Sequence, residues 1–295
     1  MSAPWKPGEP KKIVIVGLGL IGGSLAKALT QNTPHQVLGI DVDDDALLDA
    51  CSCGAICGKA GPEELKAADL VYLCVYPEAA LDFVRQWGPK LKEGCILTDA
   101  CGVKKLICQG VGELRGQGRY AFVPGHPMAG KELSGFSASD PSIFVGASYL
   151  IAPGEAPAWA VKTVAALAKA MGFGRVVYTT PEEHDQVIAY TSQLPHALAC
   201  AYVMSPRCRL HKGFSAGSYR DVSRVANINH VLWSRLFLDN REDLLEELDE
   251  LQRNLRKLRD AVAQGDEAGL QDLLRRAAEI KRSEGQPPGK EREQL

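Results

Sequence analysis

The chain has 295 residues, 45% of them hydrophobic and 24% charged, with 34 basic side chains against 36 acidic ones for a formal net charge of −2. This is ordinary globular composition at a length of about two domains, and it excludes a strongly basic nucleic-acid binder. No apolar run reaches the roughly 18 residues of a membrane span, and residues 1–12 are polar and proline-rich rather than signal-like, so the expected location is the cytoplasm.

Residues 12–16 (Lys-Ile-Val-Ile-Val) read as a short buried strand, followed at once by Gly17-Leu-Gly19-Leu-Ile-Gly22 and by residues 24–29, helical in composition. A second apolar stretch, residues 37–40, ends on Asp41. Strand, glycine turn, helix, strand and acid make one βαβ unit. Residues 70–75 and 95–98 read as further strands with helical segments between them, which implies a parallel sheet with helices on both faces. Residues 121–123, 149–151 and 176–178 read as later strands of the same domain. The texture changes after Tyr178. Thr180 can cap a helix whose first residue is Pro181, with Glu183 completing a capping box. From there almost everything reads as helix. Leu244, Leu248, Leu251, Leu255, Leu258 and Val262 form a heptad stripe, which must pack either inside the chain or on a second copy. Residues 284–295 are polar, contain Pro287 and Pro288, and read as a disordered tail.

The nine cysteines include no C-x-x-C pair. Their odd number and scattered spacing favour free thiols and no metal site. A lone G-x-G-x-x-G is weak evidence, but this one follows a strand and opens a helix. Gly17 permits the tight turn, Gly19 lets a pyrophosphate approach the backbone, and Gly22 lets helix and strand pack closely. Asp41 falls nineteen residues beyond Gly22, where its carboxylate can bond ribose hydroxyls. The cofactor-binding set is therefore Gly17, Gly19, Leu20, Ile21, Gly22 and Asp41. A 2′-phosphate would meet Asp41 with Asp43, Asp44 and Asp45 close behind, and no Arg or Lys lies between Asp41 and Lys59, so the expected cofactor is NAD rather than NADP.

His126 lies in Pro124-Gly-His-Pro-Met-Ala-Gly130, which reads as a rigid loop beyond the sheet. His196 follows Pro195 inside the first helix of the second half, where the proline should kink or break that helix. Arg220 and Arg224 are spaced i, i+4, so a helix would set both guanidinium groups on one face to clamp carboxylates. Few acids lie near them in sequence to pair with.

The set His-Pro-Met-Ala-Gly with Glu132 and Ser134-Gly135 after it, then Leu-Pro-His, then Arg-Asp-x-x-Arg-x-Ala, resembles the prephenate/arogenate dehydrogenase family of tyrosine biosynthesis over about residues 11–283. The resemblance implies an α/β fold: an N-terminal Rossmann-type, doubly wound parallel sheet (residues 11–178) and a C-terminal all-helical dimerisation domain (179–283). It implies NAD-dependent oxidative decarboxylation of prephenate, with arogenate as the alternative substrate, by a homodimer joined through its C-terminal helices. It makes His126 the catalytic histidine that bonds the ring C4 hydroxyl. Arg224 then holds a substrate carboxylate, His196 lines the same pocket, Glu132 is an acid at its edge, and Arg220 stands where the family places a basic residue. The competing readings are a β-hydroxyacid dehydrogenase or imine reductase, which the Gly125-His126-Pro127 segment and the arginine pair disfavour, and a non-catalytic NAD(H)-binding protein. One departure stands out: where the family carries Asp-x-x-Ser-Val-Lys, this chain has Asp99-Ala-Cys-Gly102-Val-Lys104. A hydroxyl beside the catalytic histidine is thus missing, with Cys101 read as an inert small residue and activity expected to survive.

Overall fold

The computed structural model describes residues 5, 9–114, 116 and 118–283; the expected tail at 284–295 lies outside them. The first strand, β1 (Lys12–Val16), carries Ile13, Val14 and Ile15, all fully buried. Each such side chain contributes on the order of 2 kcal/mol of hydrophobic stabilisation. After it come α1 (Leu20–Asn32), β2 (Gln36–Ile40), α2 (Asp44–Ser52), α3 (Pro62–Lys66), β3 (Leu70–Leu73), α4 (Pro77–Trp87), β4 (Ile96–Asp99), α5 (Lys105–Glu113) and β5 (Ala121–Val123). The five strands form a parallel sheet in the order β2-β1-β3-β4-β5. Their apolar runs are buried on both faces, as parallel strands covered by crossover helices require. One apolar cluster packs α1 against the sheet and the other packs α4 and α5 on its opposite side. Chain order reverses between β1 and β3, so the crevice outside their carboxyl ends is the expected ligand site of an open α/β sheet.

The later strands depart from expectation. Gly125–Pro127 is itself a strand, β6, paired antiparallel with β7 (Ser148–Ile151); β7 in turn pairs parallel with β8 (Arg175–Tyr178), across α6 (Ala158–Ala170). These three form a second sheet in the order β6-β7-β8 rather than extending the first. His126 therefore sits in a strand, opposite Leu150, not in a loop. The proline-flanked triplet has no strand signature of its own, and β7 supplies its partner.

The helical half begins with α7 (Pro181–Ile188). Thr180 caps it by accepting from the Glu183 N–H at 3.1 Å, and the Glu183 carboxylate accepts from Thr179 Oγ1 at the same distance. A π-helical turn, Ala189–Gln193, leads into α8 (Leu194–Val203). Pro195 does not break the run: the wider turn immediately before it absorbs the missing N–H. There follow α9 (Gly217–Ser223), α10 (His230–Asp239), α11 (Arg241–Gln264) and α12 (Glu267–Ser283). The heptad stripe lies on α11. Leu244 is buried, but Leu255 is 49% and Val262 66% exposed, so within one chain the far half of the stripe stays uncovered. No helix among the described residues is long and apolar enough to cross a membrane.

Candidate active site

The glycine turn sits at the carboxyl end of β1. Gly17 has φ +92°, a conformation that favours glycine, and a Cβ there would lie 2.5 Å from the Cys74 carbonyl oxygen. A Cβ on Gly22 would lie 1.8 Å from the Gly17 carbonyl oxygen, whereas one on Gly19 would meet nothing within 4 Å. The turn is thus closed against the sheet and open at the helix N-terminus. Helix α1 begins at Leu20, earlier than its composition indicates, with Gly19 as N-cap and no acidic residue in its first turn. The first-turn N–H groups of a helix have no intrahelical partners and attract anions, so the shape and charge fit a dinucleotide pyrophosphate. Asp41, half-buried just after β2, accepts from the Leu18 N–H at 2.5 Å and the Asp43 N–H at 2.9 Å. These bonds tie the acid to the glycine turn, and a carboxylate keeps further lone pairs for ribose hydroxyls. Lys59, the nearest cation in the acid run, is engaged by Asp44 at 2.6 Å. A 2′-phosphate would face several kcal/mol of like-charge repulsion before screening. NAD+ is therefore expected to exceed NADP+ in kcat/KM by at least about tenfold; comparable values in steady-state assays would contradict this placement of Asp41.

His126 is held from two sides. The N–H of Gly125 donates to Asp99 Oδ1 at 3.2 Å, and a Cβ on Gly125 would lie 2.3 Å from the Tyr149 hydroxyl, so glycine lets this strand approach the sheet. Asp99 forms a fully buried ion pair with Lys104 and accepts from the Cys101 N–H at 3.0 Å. Together these contacts close the loop between β4 and α5. On its other side His126 Nδ1 lies 2.8 Å from His184 Nε2, and His184 Nδ1 lies 2.7 Å from Asp185 Oδ1. His184 and Asp185 are both buried, and Asp185 also accepts from the backbone N–H groups of Lys104 at 2.7 Å and Lys105 at 2.9 Å. Burial first, then the neighbouring His184 and the Lys104 ammonium, hold His126 well below the ordinary histidine pKa. Burial also lowers His184, outweighing its bond to Asp185. Both rings are thereby kept neutral near pH 7.

The remaining candidates gather at the edge of the helical half. Arg224 begins a 3-10 turn directly after α9, and its N–H donates to the Arg220 carbonyl, so the two arginines are one helical turn apart. Arg224 Nη1 donates to Glu132 Oε1 in an ion pair that links the segment after β6 to the helical half. The acidic partner that sequence spacing did not reveal is therefore Glu132, 92 positions away in the chain. Arg220 is exposed. His196 is half-buried, its Nδ1–H donating to the Ser192 carbonyl at 2.7 Å and its ring stacked on Trp233 at 3.6 Å between centroids. Burial lowers its pKa, while the charges of Glu132 and Arg224 pull in opposite directions. The structure thus brings His196, Glu132 and Arg224 together. It adds three residues that sequence reasoning did not name: His184, Asp185 and Trp233. His184-Asp185 is visible as a dipeptide, but neighbours on a helix ordinarily diverge, and nothing local says which strand they meet.

Gly102 lies against α10: a Cβ there would come within 3.1 Å of a Leu236 methyl group. Cys101 does not replace the missing hydroxyl, since its thiol is buried, lies 3.7 Å from the Val75 carbonyl oxygen and has its pKa pushed well up by burial. The far end of Leu236 can yield by a few tenths of an ångström, so Gly102→Ser is expected to fold and to keep or raise turnover. Loss of turnover in a folded variant, verified by circular dichroism, would show that the glycine itself is required. A cavity of about 760 Å³ lined by Cys108, Tyr120, Pro153 and Trp159 includes none of the histidines or arginines above. Convergent polar chemistry rather than concavity therefore locates the site.

Residues 25–178 match the family model described as prephenate dehydrogenase, nucleotide-binding domain, and residues 180–276 the one described as prephenate dehydrogenase, dimerization domain. The chain is 32% identical over 268 residues to prephenate dehydrogenase of Bacillus subtilis, covering 88% of this chain and 72% of that one. Among solved structures, Aquifex aeolicus prephenate dehydrogenase in complex with hydroxyphenyl propionate and NAD+ superposes with a TM-score of 0.83 at 28% identity, over 95% of this chain and 99% of that one. Synechocystis arogenate dehydrogenase superposes with a TM-score of 0.77 at 25% identity, over 92% and 99% of the two chains. The two matched models together span nearly all of the described chain, and the chain belongs to the prephenate dehydrogenase family of NAD-dependent oxidoreductases.

Proposed function

We propose that this chain oxidatively decarboxylates prephenate to 4-hydroxyphenylpyruvate, with His126 as the catalytic base and Arg224 as the residue that holds a substrate carboxylate. The observation that carries the reading is the engagement of His126 Nδ1 by His184, which leaves Nε2 as the ring nitrogen for substrate. Gly17, Gly19, Leu20, Ile21, Gly22 and Asp41 would hold NAD, which when bound would supply the hydride acceptor.

His126 Nε2 takes the proton of the ring C4 hydroxyl as the C4–H bond gives up its hydride. The ring carboxylate then leaves as CO2, the electrons of its bond complete the aromatic ring, and the proton on His126 returns to the C4 oxygen. Arg224 uses one N–H toward Glu132 and keeps others for a carboxylate, orienting a dianionic substrate. His196, its Nδ1–H fixed on Ser192 and its face on Trp233, makes a rigid wall of the same pocket. Arg220 adds positive charge at its approach.

Arogenate is the second reading, favoured by the Glu132 carboxylate, which would meet the ammonium that arogenate carries in place of the keto group. Parallel assays of NADH formation with prephenate and with arogenate test both. A clear preference for prephenate supports the proposal, preference for arogenate selects the second reading, and turnover of neither overturns both.

The proposed domain extents are residues 11–178 and 179–283. A homodimer through the C-terminal helices is supported by the exposed apolar residues of that half, among them Leu255, Val262, Leu274 and Ile280. Nine thiols, all unpaired, suit a reducing compartment such as the cytoplasm.

A further inference from the structure

The bonds behind His126 have one consistent direction. An ionised carboxylate only accepts, and Asp185 already accepts two backbone N–H groups, so the proton between Asp185 and His184 sits on His184 Nδ1. Neutral His184 then carries its lone pair on Nε2. That lone pair requires His126 to donate through Nδ1–H, and the lone pair of His126 therefore lies on Nε2, away from His184. The opposite arrangement would leave a proton on His126 Nε2 and no base for a substrate hydroxyl.

The relay is rigidly backed. Asn240, buried between α10 and α11, donates to the Asp185 carbonyl and to Gln193 Oε1, both at 2.9 Å. Gln193 donates in turn to the Leu236 carbonyl at 2.9 Å. Lys105 is tied to Asp243 of α11 at 2.6 Å, so the backbone donors that hold Asp185 are fixed by the helical half as well. An Asp185 placed only to cap the start of α5 would not need His184 between itself and His126.

We propose that His184 and Asp185 are positioning residues that fix His126 as the Nδ1–H tautomer, acting across the junction between the nucleotide-binding half and the helical half. The proposal rests on the reading of His126 as the base for the substrate hydroxyl. It also gives the relay a pH dependence, because protonated His184 would donate from both nitrogens and compete with the His126 Nδ1–H. The ionisable groups facing His184 are Asp185 on its own helix, His126 on β6, Asp99 at the end of β4 and Lys104 before α5. Asp99 and Lys104 largely cancel as an ion pair.

The test combines histidine nitrogen spectroscopy with kinetics. In ¹⁵N-histidine NMR of the free enzyme, with the His126 signals assigned by their loss in His126→Asn, the wild type is expected to show a protonated Nδ1 and an unprotonated Nε2. Asp185→Ala removes the acceptor of the His184 Nδ1–H, so nothing behind His184 fixes which of its nitrogens carries the proton. The His126 tautomer should become mixed, and kcat should fall at least about tenfold with KM changed severalfold at most. His184→Gln, whose carbonyl can accept from His126 while its amide donates to Asp185, should retain at least about tenfold more kcat than His184→Leu. A wild-type His126 protonated on Nε2, a tautomer as pure in Asp185→Ala as in the wild type, or equal losses in the Gln and Leu variants would each overturn the relay. Should Asp185→Ala not fold, the wild-type tautomer and the His184 pair still decide. The tautomer measurement needs no substrate, so failure of the relay is distinguishable from failure of the proposed reaction.

Discussion

His126→Asn is expected to lower kcat by about 10²–10⁴-fold, the usual contribution of a positioned general base, while KM for prephenate stays within a few-fold. The asparagine side chain can still bond a hydroxyl but cannot accept its proton at neutral pH. The wild-type pH profile gives an independent check. Burial, His184 and Lys104 depress the His126 pKa, and only the neutral ring is a base. Activity is therefore present above that lowered pKa and is lost as pH falls through it, so the acid limb of kcat/KM lies below the ordinary histidine value of about 6.5. The limb should vanish in the variant. Near-normal kcat in His126→Asn, or an acid limb at or above the ordinary value in the wild type, would remove His126 from the catalytic role.

Arg224→Ala is expected to act chiefly on binding. A hydrogen bond to a charged group contributes about 1.5–3 kcal/mol, and its loss raises KM for prephenate roughly 10- to 150-fold with kcat changed far less. The variant also leaves the Glu132 carboxylate without its guanidinium partner, facing an anionic substrate, which pushes the same way. Two companions separate these effects. Arg224→Lys keeps the charge but loses the planar fork and should recover only part of the affinity. In Arg224→Ala/Glu132→Gln the repulsion is gone, so KM should fall partway back. An Arg224→Ala enzyme with unchanged KM and a collapsed kcat would place Arg224 in the chemistry rather than in substrate binding.

The legible parts of the sequence were those whose cause is local. Ile13, Val14 and Ile15 bounded by Gly17 specify a buried strand and its turn, because the positive φ of Gly17 and the approach of Gly22 to the Gly17 carbonyl are local, although the Cys74 carbonyl that also excludes a Cβ at Gly17 comes from the neighbouring strand's end. Asp41 follows for the same reason, standing at the end of the next strand. Thr180 and Pro181 announced α7 through its own capping chemistry. What the sequence concealed depends on partners far along the chain. Gly125–Pro127 becomes a strand only because β7 lies beside it. Arg224 meets Glu132 across 92 positions and His126 meets His184 across 58, separations that no helical or strand period spans. Pro195 predicted a break, but the π turn before it let the helix continue. Gly102 is a departure visible in the sequence, yet only the packing shows that Leu236 lies against the position.

This chain is expected to couple oxidation of prephenate to its decarboxylation. The most direct test supplies the purified protein with NAD+ and prephenate and measures NADH, CO2 and the aromatic product in the same reaction. Equal amounts of NADH, CO2 and 4-hydroxyphenylpyruvate, abolished together in His126→Asn, are the predicted result. No NADH, or NADH formed without matching CO2 and aromatic product, would contradict it.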